Sequence, residues 1–112
     1  MVIWNKKFYT DEKVGKKLKK YLKMVKNYNK KKVPLNSFYL ITFPSNGDNC
    51  LDIYSAGQFW LDYKLDQADL EIVGMAASRD TCMELLADIM NDILEAYGDI
   101  SAKAVTAFFS EE

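Results

Sequence analysis

Apolar residues at Val14, Leu18, Tyr21, Leu22, Val25 and Tyr28 return at the spacing of one helical face, and they predict a helix that starts at Thr10 or Asp11. At about 100° per residue these positions cover an arc of about 120°. Lys16, Lys19, Lys20, Lys23 and Lys26 fall on the opposite side of the same wheel, and Lys13 and Lys17 flank the apolar arc, where their stems can cover it. Acids at Asp11 and Glu12 and lysines further along match the helix dipole. Asn29 and then Val33-Pro34 end the element.

Two short runs rich in aromatic and branched residues follow, Ser37 to Phe43 and Cys50 to Ser55. The loop between them contains Asn46-Gly47, a hairpin signal. Phe59, Trp60 and Tyr63 within Ala56 to Leu65 suggest one or two helical turns laid on the core. Leu70 to Ala77 reads as a third strand, in which Gly74 marks a bulge or the close approach of another backbone. From Arg79 to Tyr97 the pattern is helical again, with Cys82, Leu85, Leu86, Ile89, Met90, Ile93 and Tyr97 on one side. Asp80, Glu84, Asp88, Asn91 and Glu95 occupy the other. Ser78 is its expected cap and Gly98 its stop.

Met83 and Leu94 widen the apolar arc of this last helix to about 180°, more than one surface helix needs to cover a sheet. A second packing partner is therefore expected. One candidate is Ile100 to Phe109, as a terminal helix or an edge strand, and the other is a second copy of the protein through Met83, Met90 and Leu94. The fold expected is α+β: a small, mainly antiparallel three-stranded sheet packed by an N-terminal Lys-rich helix and a C-terminal amphipathic helix.

At 112 residues and 49% hydrophobic composition, residues 1–112 make one domain with an ordinary core. The net charge of -1 conceals an asymmetry. The basic helical segment 1–33 holds twelve lysines against Asp11 and Glu12, net +10. The acidic α+β segment 34–112 holds Lys64, Arg79 and Lys103 against fourteen carboxylates, net -11. The lysine face reads either as a solvated surface balanced by the acidic half or as a docking surface for a polyanion. A single Arg, outside that helix, argues against nucleic acid, because guanidinium groups read phosphates and base edges bidentately.

The chain has no His, so imidazole-activated nucleophiles and imidazole metal ligands are excluded. Cys50 and Cys82 are far apart with no CxxC, and read as reduced core thiols. Asp48, Asp52, Asp62, Asp66 and Asp69 match no EF-hand spacing and read as solvated loop acids. Ser78 and Arg79 at a helix start offer a weak anion-binding site, without GxGxxG or P-loop character. No catalytic set, metal site or cofactor is expected. The start of the chain lacks a secretory apolar core, and the longest apolar run, Phe38 to Ile41, is far too short to span a bilayer. These features predict a cytoplasmic protein with no membrane association.

The run Phe38-Tyr39-Leu40-Ile41-Thr42-Phe43-Pro44-Ser45-Asn46, then Leu51-Asp52-Ile53, then Ile72-Val73-Gly74-Met75-Ala76 leading into an acidic amphipathic helix, resembles a group of small uncharacterised proteins of anaerobic Gram-positive bacteria, some carried on mobile elements. The resemblance covers residues 34–99. It implies a bacterial cytoplasmic α+β domain and transfers no functional residue, since the group has no assigned activity. The expected function is a non-enzymatic protein-interaction module that self-associates or takes an acidic or apolar protein partner. The alternatives are polyanion binding through Lys16, Lys19, Lys20, Lys23 and Lys26, and anion or small-molecule binding at Ser78 and Arg79.

Overall fold

Leu70–Ala76 is buried along almost its whole length, which only a strand covered on both faces can be. The computed structural model describes residues 2–26, 36–43, 51–60 and 70–110, and its sheet is built around that strand. Among the described residues the elements are β1 (Val2–Thr10), α1 (Glu12–Lys16), α2 (Leu18–Lys26), β2 (Tyr39–Thr42), β3 (Asp52–Ser55), α3 (Ala56–Phe59), β4 (Leu70–Ala76), α4 (Arg79–Tyr97) and α5 (Ala102–Ser110). The strand order is β1-β4-β2-β3. β2 pairs antiparallel with both β3 and β4, from Tyr39 opposite Ser55 to Thr42 opposite Asp52 on one side. β1 pairs parallel with β4.

The fold is α+β as expected, but the sheet is four-stranded and mixed rather than three-stranded. The added strand is β1. Its apolar residues stand at Val2 to Trp4 and at Phe8-Tyr9, split by Asn5-Lys6-Lys7, so no period-2 alternation marks it. The pairing explains the split: five steps from Trp4 to Tyr9 lie against only two on β4, from Ile72 to Gly74. The lysines occupy this irregular stretch.

Two apolar clusters sit on opposite faces of the sheet. Val14 of α1 and Tyr21 and Val25 of α2 pack with Leu40, Leu70, Ile72 and Met75 on one face. Cys82, Leu85, Ile89 and Ile93 of α4, with Val105, Phe108 and Phe109 of α5, pack with Ile41, Val73 and Ala76 on the other. A strand normally keeps one parity per face, yet Ile72 and Met75 share a side. The change is made by a bulge: Thr42 pairs with Ile72 and its neighbour Ile41 with Gly74, so Val73 is the extra residue. The bulge expected at Gly74 is therefore there, and what comes close is side chain rather than backbone. A Cβ on Gly74 would stand 3.3 Å from Ile41 Cδ1 and 3.5 Å from Leu85 Cδ2.

The N-terminal helix is broken where the sequence predicts one continuous element. Lys17 leaves helical geometry at φ -128°, ψ 42°, and its N–H donates to Val14 O, one residue short of an α-helical bond, at 3.1 Å. Asp11, not Thr10, is the cap, accepting from Val14 N. Tyr28, Asn29 and Pro34 lie outside the described residues, as do Asn46-Gly47 and Tyr63. α4 begins and ends where the sequence places it, with Ser78 capping and Gly98 in the left-handed region at φ 77°. Of the stretch Ile100 to Phe109, Ala102 onward is helix rather than edge strand, in α5, which buries Ala104, Val105, Phe108 and Phe109. It joins the cluster of Cys82, Leu85, Ile89 and Ile93, while Met83 and Leu94, the residues that widen the α4 arc, stay exposed.

Candidate functional site

The head of α4 lies at the carboxyl ends of the parallel pair β1 and β4, the place where open α/β sheets leave a crevice. An open cleft of about 390 Å³ is present there, lined by Asp11, Glu12, Lys16, Ala77, Ser78 and Thr81. Asp11 follows β1 directly and turns its carboxylate into the end of the cleft. Its Oδ1 accepts from Val14 N at 2.8 Å. Its Oδ2 accepts from Ala77 N at 2.8 Å and from the Thr81 hydroxyl at 2.6 Å. Partial burial by itself would raise the Asp11 pKa, but the bonds from Thr81, Ala77 and Val14, with Lys13 nearby, hold it below the usual carboxylate range.

This arrangement decides how the Ser78 and Arg79 region can act. A helix N-terminus favours negative charge, and here the chain supplies that charge itself through Asp11. The Ser78 hydroxyl accepts from Thr81 N at 3.2 Å and stands 2.9 Å from the Thr81 hydroxyl. Arg79 is exposed beside Tyr39, Ile53 and Met83. Asp11 thus occupies Ala77 N and the Thr81 hydroxyl, and Ser78 caps Thr81 N. Cys82, one turn into α4, is a buried free thiol. Burial first, and then the Asp11 charge, pushes it up to about 11, so it is no thiolate nucleophile at neutral pH.

The lysines form the second feature. Lys16, Lys19, Lys20, Lys23 and Lys26 are all exposed, because Val14, Tyr21 and Val25 turn the other side of α1 and α2 into the sheet. Among the described residues the one ion pair on this face joins Lys16 to Glu12 at 2.9 Å, with both side chains well exposed. Asp80, Glu84, Asp88 and Glu95 are exposed on α4, beyond the opposite face of the sheet. Asp92 accepts a 2.6 Å bond from the Tyr9 hydroxyl. Burial, that bond and the charges of Asp92 and Asp88 hold the hydroxyl proton far more tightly than usual.

Of the expected self-association residues, Met83 and Leu94 are exposed on α4, while Met90 packs partly against the α4 and α5 cluster. Asp52 opens β3; Cys50, Asp48, Asp62, Asp66 and Asp69 lie outside the described residues. Among the described residues no three His, Cys, Asp or Glu side chains gather as a metal site requires, and no helix is long and apolar enough to cross a membrane. Sequence reasoning identified Asp11 only as a cap. Its bonds to Ala77 and Thr81 join residues 66 and 70 positions away, and no local pattern signals such a pairing. No family model, curated protein or solved structure matches the chain.

Proposed function

We propose that this chain is a non-enzymatic, cytoplasmic interaction module that docks an acidic protein segment on the lysine face of α1 and α2. The observation that carries the reading is the placement of the two charge sets on opposite faces of one sheet. Helix and sheet layers pack about 10 Å apart, so α4 carboxylates and α2 lysines are separated by about two such spacings, against a Debye length of about 8 Å at physiological ionic strength. The α4 carboxylates therefore do little to neutralise Lys19, Lys20, Lys23 and Lys26, and that charge is left for a partner. Lysine without arginine favours a carboxylate-rich surface over base-edge recognition. An engaged Asp11 and a protonated Cys82 leave the head of α4 a structural joint rather than a centre of chemistry.

The test is fluorescence anisotropy with a labelled oligoglutamate peptide and with labelled duplex and single-stranded DNA, at 50 and 200 mM salt. The peptide should bind at low salt. The triple variant K19Q/K20Q/K23Q should weaken it roughly tenfold, as expected for three exposed contacts of about 0.5 kcal/mol each. Tighter binding of DNA than of peptide, with affinity falling steeply with salt, would transfer the reading to nucleic acid. Absence of binding to any probe at 50 mM salt would remove it.

A further inference from the structure

Among the described residues, the helices on one side of the sheet cover three of its four strands. α5 is tied to β1 through Asn5 and Lys7, and α4 packs on Val73 and Ala76 of β4 and on Ile41 of β2. β3 lies one strand further out. Side chains alternate along a strand, so Ser55 faces the same side as Ile53, which borders the α4 cluster. Between β3 and the head of α4 there remains a cleft of about 370 Å³, lined by Tyr39, Ile53, Ser55, Gln58, Arg79 and Met83. Ser55 also caps α3, accepting from Gln58 N at 3.2 Å, which brings Gln58 to the same cleft.

Charge distinguishes this cleft from its neighbours. Three others carry carboxylates: Asp11 and Glu12 line one, Glu71 the second and Asp80 the third. Here no acid lines the wall, and the charge present is the guanidinium of Arg79, the single arginine of the chain. Among the described residues that guanidinium makes no ion pair or hydrogen bond, and neither the Tyr39 hydroxyl nor the Gln58 side-chain amide has a partner. Ile53 and Met83 add an apolar wall. We infer that the cleft binds a small organic acid, its carboxylate on Arg79 and its apolar body against Ile53 and Met83. A guanidinium presents two parallel N–H donors to a carboxylate, and the Gln58 amide and Tyr39 hydroxyl are further donors beside it. One cation suits a monoanion better than a phosphate dianion. Both the volume and the mixture of apolar wall and few polar groups are those of a small-molecule site. The helix-start N–H groups take no part, since Asp11 and Ser78 already occupy them.

The cleft lies across the sheet from the lysine face, so it is independent of the docking reading. The probe is phenylacetate, titrated at physiological ionic strength while amide chemical shifts are followed by NMR. Phenylethanol supplies the body without the charge, acetate the charge without the body, and inorganic phosphate a second oxyanion. At ordinary affinity per atom, phenylacetate should dissociate at a concentration on the order of 5 mM, with saturable shifts confined to the cleft around Tyr39, Ile53, Gln58, Arg79 and Met83. The three comparison molecules should each bind at least about threefold more weakly. Arg79→Gln and Met83→Ser, both at exposed positions, should each weaken phenylacetate about two- to fivefold while keeping the wild-type circular dichroism spectrum and melting cooperativity. K19Q/K20Q/K23Q should leave phenylacetate binding unchanged, which separates a failure here from a failure of the docking reading. No saturable shift up to about 20 mM, undiminished binding by Arg79→Gln, equal binding of phenylethanol, tighter binding of phosphate, or shifts that map to the lysine face would overturn the inference.

Discussion

Asp11 ties three segments together with one carboxylate: the end of β1, the first turn of α1 and the head of α4. Hydrogen bonds to a charged group contribute about 1.5 to 3 kcal/mol each when broken singly, so Asp11→Asn should destabilise the fold by about 2 kcal/mol at pH 7. The pH dependence has a definite sign. The folded pKa of Asp11 is below the unfolded value of about 3.9, so its contribution is complete above that value and fades as pH falls through the folded pKa. Urea unfolding of both proteins at pH 7 and pH 3 checks this, and the gap between them should shrink at the lower pH. The capping half of this role was legible in the sequence, because caps are local. The bridging half was not, because it depends on β1 and β4 lying side by side.

At the scale of elements, α4 and β1 show why one was readable and the other was not. α4 has a Ser78 cap, a Gly98 stop at positive φ and an unbroken apolar face between them, each a signal that a short window contains. β1 is made by pairing with a strand more than sixty residues away, through an irregular register, and its apolar residues alternate over no useful length. The link between β1 and α5 is equally non-local: Asn5 Nδ2 donates to Phe109 O at 3.0 Å and to Glu71 Oε2 at 2.7 Å. Lys7 Nζ donates to Phe108 O at 2.9 Å, placing a cation at the negative end of α5. Asn5→Ala should therefore cost about 1 to 2 kcal/mol, and hydrogen exchange should speed up first in α5. Neighbouring residues of α4 should behave unlike each other. Ile93→Ala removes a fully buried side chain and should cost about 2 to 5 kcal/mol, whereas Leu94→Ala should cost less than about 1 kcal/mol in dilute solution. Chemical denaturation at 1 µM protein separates the two.

Across the whole molecule, the sheet works as a divider between a basic layer and an acidic one. The charge asymmetry was legible by cutting the sequence near residue 33, but its meaning was not. Whether the α2 lysines and the α4 carboxylates neutralise each other depends on which faces of the sheet the helices cover, and the two clusters put them on opposite faces. The docking reading rests on the two layers acting independently, which a double-mutant cycle measures directly. K19Q/K20Q/K23Q, E84Q/D88N/E95Q and the combined variant are unfolded with urea at 1 µM protein and physiological ionic strength, where the Debye length is about 8 Å. The opposed-face arrangement predicts that the two sets of stability changes add to within about 0.5 kcal/mol. A favourable coupling between the lysines and the α4 carboxylates well above that value would mean that they neutralise each other within one molecule, and would contradict the account.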